Sequence, residues 1–456
     1  MKWRKQAMSA VLTGCLAAGM LVPAAMAAEP KAEIQEVQEI AETVLEKQSA
    51  YNAAYLLTQN KYYDNGSLEY AVQYSYVYDK YDRVKKMCEK VLVPQADGTW
   101  KEDASQQITT VYTHDANGNI TKQDNAHEQH VYVYNQANQV TKETYTDKQE
   151  KENNYTAVYT YTNGLATKIT TTFPNMQNIK LTTTIRYDTN GKVLKEVISY
   201  AGEDLEALTY SYDDKGNCIS VKDDMFDGMP EYTTFEYDAD NNCIRETCGD
   251  EQISYEYQLK DDWKAQNPTT VDMLFDDIAP TAWYCPFVQK AYDMNLMEGM
   301  GNTTFMPNKS LKRAELVQIM YNEAGRPTVT GKTSFKDVRS NQWYYNAVLW
   351  AEQNKVTSGI EVGKFGPNDV VTREQMVTIL YNYENKPQAD VAVLEKYPDA
   401  AKISSWAKDA MAWAVANNVV VGDQKKDGSV YLNPRNTATR AQAATVLSKY
   451  FAEEAK

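Results

Sequence analysis

Histidine is nearly absent: His114, His127 and His130 are the three in 456 residues. The run His127-Glu128-Gln129-His130 is one residue short of the His-Glu-x-x-His zinc signature, whose two histidines must stand four apart on one helical face. These residues therefore read as a polar loop or strand edge, and no metal or cofactor is expected. Nucleotide and hydrolase fingerprints are missing too, with no P-loop, no Rossmann glycines and no Gly-x-Ser-x-Gly. Asp223, Asp224, Asp227 and Glu231 crowd one segment, but neither their spacing nor Gly228 fits an EF-hand loop. Nothing singles out a carboxylate pair for glycoside cleavage. No catalytic residue is assigned, and the chain is not read as an enzyme.

Long apolar runs are equally scarce. The one present, Ala10 to Val22, follows Lys2, Arg4 and Lys5 and precedes Ala25-Met26-Ala27, which is the order of a cleavable signal peptide over 1–27. Leu12-Thr13-Gly14-Cys15 offers a competing lipoprotein box, but the apolar run continues well past Cys15. No other stretch is long enough to cross a bilayer as a helix, so no membrane insertion is expected once the signal is removed. Basic charge is also short, with 47 Lys and Arg against 62 Asp and Glu. Removing the signal takes three basic residues, and a net charge of about −18 argues against nucleic acid or anionic lipid as partner. Cys88, Cys218, Cys243, Cys248 and Cys285 would remain, an odd number in an exported protein. Cys218 and Cys243 fall at a column that holds Val84, Ile120, Val140 and Val193 elsewhere, so they read as small apolar residues rather than a disulfide.

What is abundant is tyrosine, 34 residues. Before the tyrosines begin, Ile34, Val37, Ile40, Ala41, Val44 and Tyr51 recur at helical spacing, predicting an amphipathic helix within 28–62. Over 63–264 the period changes to two, as in Val131-Tyr132-Val133-Tyr134 and Leu208-Thr209-Tyr210-Ser211-Tyr212. Most runs end in turn formers such as Asp115-Ala116-Asn117-Gly118-Asn119, because Gly and Asn accept the positive φ of a tight hairpin. Tyr134, Tyr161, Tyr187, Tyr212 and Tyr237 mark one hairpin per repeat. The tyrosine and threonine faces are expected to be exposed, which suits binding. The Tyr-Asp-x-x-Gly-Asn form resembles the YD (RHS-type) repeats of bacterial surface and toxin proteins. In those families the repeats form curled antiparallel sheets, sometimes a closed shell; with so few copies here, an open or rolled meander is expected.

From about residue 272 one pattern recurs three times: an aromatic, Asp, Trp, Gly, Pro and Arg. The copies are Phe275, Asp277, Trp283, Gly299, Pro307, Arg313; Phe335, Asp337, Trp343, Gly359, Pro367, Arg373; and Tyr397, Asp399, Trp406, Gly422, Pro434, Arg440. The Trp-to-Gly and Pro-to-Arg spacings hold while the Gly-to-Pro stretch varies, so the first two are elements and the third is a loop. Each copy reads as helix, loop, helix over 272–330, 331–390 and 391–456. Thr372 with Gln375, and Thr439 with Gln442, form capping boxes for the second helix, whereas the first copy has Lys312 at the cap. An arginine in a first helical turn opposes the helix dipole, so it needs a partner. Either it binds an anion in bidentate fashion, or it pairs with an Asp such as Asp277, Asp337 or Asp399. The tryptophans can pack in a core or stack on sugar.

These motifs resemble surface-layer homology (SLH) domains. The resemblance implies an α-helical, pseudo-threefold bundle with grooves between copies, so the expected fold is multidomain, the antiparallel β-hairpin repeat region followed by this bundle. It implies that the grooves bind secondary cell wall polysaccharide, a peptidoglycan-linked polymer, often through a pyruvate ketal. Arg313, Arg373 and Arg440 would meet the anion, with Trp283, Trp343, Trp406, Gly299, Gly359 and Gly422 along the walls. The expected protein is extracellular and held at the cell wall without a covalent bond. Alternatives are a wall-modifying enzyme with its site in the repeats, or an adhesin or self-assembling module with an unknown surface ligand.

Overall fold

The computed structural model describes residues 55–225 and 230–454, and contacts divide the chain into two compact units between Thr269 and Thr270. The expected signal peptide, the expected helix over 28–54, and Asp227 with Gly228 lie outside the described residues.

In the first unit sixteen strands run from β1 (Tyr55–Asp64) to β16 (Glu251–Leu259), each antiparallel to its neighbours in sequence. The sheet then closes, with β1 pairing β16 from Tyr55↔Leu259 to Asp64↔Glu251. Two expectations are corrected here. The array is a closed barrel rather than an open or rolled meander, and residues 55–62 are strand rather than the end of a helix. Closure leaves no row of unpaired N–H and C=O groups at an edge, and it buries Leu56, Leu57 and Tyr62.

The repeat turns explain the recurring Asp and Asn. Asp115 Oδ1 accepts from the backbone N–H of Asn117 and Asn119, while Asn119 Nδ2 donates to Asp115 Oδ2 at 3.0 Å. Asp213 with Asn217, and Asp238 with Asn242, repeat the same closure. Gly118 sits at φ +87°, where a side chain would be strained. The anchor tyrosines have a second task. The hydroxyls of Tyr134, Tyr161, Tyr187, Tyr212 and Tyr237 donate to the carbonyls of Ile120, Val140, Ala166, Val193 and Cys218 at 2.6–2.8 Å. Each acceptor belongs to the preceding hairpin, so the repeats are stapled in series.

Most tyrosines of the barrel are buried or half-buried, Tyr81 and Tyr232 being exposed, which corrects the expected exposed aromatic face. Tyr112, Tyr145 and Tyr155 are among the most deeply buried side chains of the unit. Along Ile179–Tyr187, Ile179, Leu181, Thr183 and Ile185 are buried, while Lys180, Thr184 and Arg186 are exposed. A lipid-facing barrel carries an apolar band outside and polar residues within; along this strand that polarity is reversed. Trp263, on α1 (Lys260–Gln266), packs edge-on against Tyr76 and Tyr78 in the cluster that also holds Tyr112.

The second unit contains α2 (Val271–Leu274), α3 (Cys285–Asp293), α4 (Arg313–Glu323), α5 (Tyr345–Gln353), α6 (Arg373–Tyr383), α7 (Lys408–Ala416) and α8 (Arg440–Glu454). Just before α4, α6 and α8, three backbone hydrogen bonds close a ring. Leu311 donates to Ala438, Ala438 to Val371 and Val371 to Leu311, each at 2.8 Å, and all three residues are fully buried.

Candidate functional site

Each second helix begins against the loop of another module. The N–H groups of Arg313 and Ala314 donate to the carbonyls of Asp369 and Pro367, those of Arg373 and Glu374 to Asn436 and Pro434, and those of Arg440 and Ala441 to Lys309 and Pro307. First-turn N–H groups have no partner within their own helix, so these loops satisfy them. The repeated Pro supplies the carbonyl that the helix of the preceding module requires, with the first module serving the third. The caps follow the expected chemistry: Thr372 Oγ1 accepts from Gln375 N while Gln375 Oε1 accepts from Thr372 N, and Thr439 with Gln442 does the same. At Lys312 half of the box survives, because Glu315 accepts from its N–H but an ammonium has no lone pair to offer in return.

The repeated aspartates do not pair with the arginines. Asp277 accepts from the backbone N–H of Phe305 and Met306, Asp337 from Phe365 and Gly366, and Asp399 from Leu432 and Asn433. Each carboxylate thus folds the loop over which a neighbouring module's arginine lies. The glycines are required by close approach. A Cβ on Gly359 would meet the Lys364 carbonyl at 2.4 Å and the Phe335 ring at 2.7 Å, and one on Gly299 would meet Phe275 at 2.5 Å. On Gly422 it would meet Val430 at 2.6 Å.

The arginines reach across modules to these glycine loops. Arg313 Nε donates to the Phe365 carbonyl at 2.8 Å and Nη2 to Thr357 Oγ1 at 3.3 Å, with its guanidinium 5.0 Å above the Phe365 ring. Arg440 Nε donates to the Phe305 carbonyl and Nη2 to the Glu298 carbonyl, 4.5 Å above the Phe305 ring. Both are almost fully buried, and burial pushes each guanidinium below its usual range; Asp369 and Asp337 partly offset this for Arg313, and Glu315 and Asp277 for Arg440. Arg373 differs: its Nη1 stands 3.8 Å from Asp423, and its buried Nε has no hydrogen-bond partner. Trp283, Trp343 and Trp406 are 60%, 63% and 56% exposed, so they are surface rather than core residues. The first two lie edge-on against Tyr284 and Tyr344. The structure therefore joins each Arg to a neighbour's Gly loop and leaves the tryptophans on the surface.

In the barrel, His130 is a buried residue of β6 (Glu128–Tyr134), which corrects its reading as loop or strand edge. Its Nδ1 is 2.9 Å from Glu143 Oε1, and Tyr159 donates to Glu143 Oε2 at 3.0 Å. The alternation of Glu128, His130 and Tyr132 was the available signal that these residues share a face. His127 is exposed at the turn. Among the described residues no group of three or more His, Cys, Asp or Glu is arranged to hold a metal ion. The five described cysteines are free, and burial pushes the Cys218 thiol up to about 11.

Comparison with known proteins places this geometry. The S-layer homology domain matches residues 274–317, 334–377 and 396–444. The Surface-layer 125 kDa protein of Lysinibacillus sphaericus is 34% identical over 36% of this chain and 13% of its own length. An endoglucanase of Bacillus sp. (strain KSM-635) is 30% identical over 38% of this chain and 18% of its own, and the S-layer protein sap of Bacillus anthracis is 26% identical over 38% and 21%. The chain thus spans about a fifth or less of these relatives, and the shared part is the SLH region. Among solved structures, a porin-like protein from Bacteroides uniformis aligns at 12% identity over 44% of this chain and 96% of its own, with a TM-score of 0.31. A chain of the TcdB2-TccC3-Cdc42 structure aligns at 18% identity over 40% and 9%, with a TM-score of 0.24. Residues 274–317, 334–377 and 396–444 are S-layer homology domains, and these domains place the protein at the extracellular cell surface, associated with the cell wall.

Proposed function

We propose that residues 272–456 form a pseudo-threefold bundle that anchors the chain, without a covalent bond, to a secondary cell wall polysaccharide. The observation that carries this reading is the threefold recurrence of an arginine laid on a neighbouring module's glycine loop. Arg313, Arg373 and Arg440 contribute positive charge at the grooves, Gly299, Gly359 and Gly422 keep the loops close, and exposed Trp283, Trp343 and Trp406 offer flat faces for sugar rings. Several weak sites on one rigid body give avidity toward a polymer. The barrel is read as a displayed YD-type repeat domain with a structural or binding task. Glycosidases among the relatives share the anchor region with this chain, so their names support a common means of attachment rather than a common reaction.

The test is co-sedimentation of the full chain with purified wall sacculi, before and after acid stripping of wall polysaccharide. Retention on native sacculi and loss on stripped ones is expected. A chain that stays in the supernatant with native sacculi would sink the anchor reading.

A further inference from the structure

We infer that the outer wall of the barrel over its seventh to eleventh strands is a binding face for an anionic polysaccharide, held by cations that the fold leaves without an ion-pair partner. This face uses no residue of the helical unit and does not rest on the wall-anchor reading.

Strand alternation sets five basic residues on the outside of β7 (Val140–Asp147), β8 (Tyr155–Thr162), β9 (Leu165–Phe173), β10 (Ile179–Tyr187) and β11 (Val193–Tyr200). They are Lys142, Lys168, Lys180, Arg186 and Lys195. In each case an adjacent residue turns inward and is buried, as Ile169 beside Lys168, Ile185 beside Arg186 and Glu196 beside Lys195. The acids of these strands, Glu143, Asp147 and Glu196, belong to that inward set. Among the described residues of β7 to β11 no Asp or Glu stands outside, although acids outnumber bases 62 to 47 in the chain.

Elsewhere in the barrel Lys61 pairs with Glu256, Lys90 with Glu102, Lys122 with Asp124 and Arg245 with Glu236. Among the described residues none of the five outer cations has such a partner. Arg186 and Lys195 stand directly opposite each other across β10 and β11, and Lys168, opposite Thr184, lies diagonally from Arg186. Opposed side chains are about 5 Å apart at Cβ and diagonal ones about 7–8 Å, so like charges placed there are destabilising. An anionic chain laid across the three strands would neutralise them together, through charge-assisted hydrogen bonds to its sulfate or carboxylate groups. Thr144, Thr156 and Thr172 stand side by side across β7, β8 and β9, and their hydroxyls both donate to and accept from sugar hydroxyls. Among the described residues of these strands no aromatic ring faces outward, so no platform exists on which a base could stack. That favours a polysaccharide over single-stranded nucleic acid.

Retention of the full-length chain should be measured on dextran sulfate, plain dextran and single-stranded DNA, for wild type and for the variant combining Lys168→Gln, Arg186→Gln and Lys195→Gln. Wild type should bind dextran sulfate, release it as salt screens the contacts, and pass through plain dextran. Three exposed contacts, each modest alone, should together make the variant weaker by about tenfold or more. Its melting temperature should match or exceed that of wild type, because the opposed charges of Arg186 and Lys195 are gone. A lower melting temperature would mean that these cations serve the fold, and would overturn the inference. So would equal affinity of variant and wild type for dextran sulfate, or wild type that binds dextran sulfate no better than plain dextran. Tighter binding to single-stranded DNA than to dextran sulfate would overturn the polysaccharide as occupant.

Discussion

Replacing Glu246 by glutamine should flatten the loss of barrel stability between pH 5 and 8. Glu246 is 4% exposed, Tyr255 donates to its Oε2 at 3.3 Å, and burial pushes its carboxyl up to about 8 from an ordinary 4.5. Below pH 4.5 the group is protonated folded and unfolded, so it contributes no pH dependence. Between 4.5 and 8 the unfolded chain releases a proton that the barrel retains, and stability falls as pH rises, by about 1.4 kcal/mol per unit. Above 8 both states are ionised and the penalty levels off near ~5 kcal/mol, an upper bound because water entering the barrel would lessen it. Glutamine keeps an acceptor for Tyr255 and has no proton to lose. Urea unfolding at pH 5 and pH 8, with amide exchange over residues 243–259 to isolate the barrel, should show the variant similar to wild type at pH 5. At pH 8 it should be more stable by ~2–5 kcal/mol. Glu196, also buried and raised to about 8, leaves a residual slope in both proteins. Equal pH slopes for the two would refute a protonated Glu246 in the barrel wall.

Four further changes probe the scaffold. Tyr212→Phe removes the 2.8 Å hydrogen bond to the Val193 carbonyl and should lower barrel stability by about 1–2 kcal/mol in chemical denaturation; no change would mean that the tyrosine column matters only for packing. Gly359→Ala places a Cβ 2.4 Å from a carbonyl at φ +83° and should cost more than ~2 kcal/mol, read as a lower melting temperature of the second unit. Lys312→Thr should complete the half-made capping box of α4 and add about 0.5–1 kcal/mol, whereas Thr372→Ala should subtract about the same from α6.

The modules were legible because their markers are local. A Trp-to-Gly interval spans one helix, and a Thr-x-x-Gln box marks a helix start whatever surrounds it. Hairpin turns were legible for the same reason, since Asp115 and Asn119 close their turn on themselves. Closure of the barrel was hidden because it depends on a pairing between Tyr55–Asp64 and Glu251–Leu259 that no sequence window can contain. The same gap let helical periodicity run on into β1. Alternating tyrosines announce that they share a face but not which face, and the hydroxyl partner one repeat back emerges only when neighbouring strands are aligned. The arginines were found and their setting was not: Arg313 and Arg440 are engaged by backbone carbonyls, which leave no trace in side-chain identity.

The tyrosine staples point one way along the chain. Each hydroxyl grips the hairpin made before it, so a chain emerging N-terminus first can add every new hairpin to a completed one, with nothing awaited from downstream. One strand is excepted. β1 must wait for β16, an interval typified by the Thr58 to Glu256 hydrogen bond across 198 residues, and long-range pairings of this kind form slowly. Until that seam closes, the nascent barrel presents two raw sheet edges at once, so a chain stalled or cut before residue 251 would be a sticky species with a nearly complete interior.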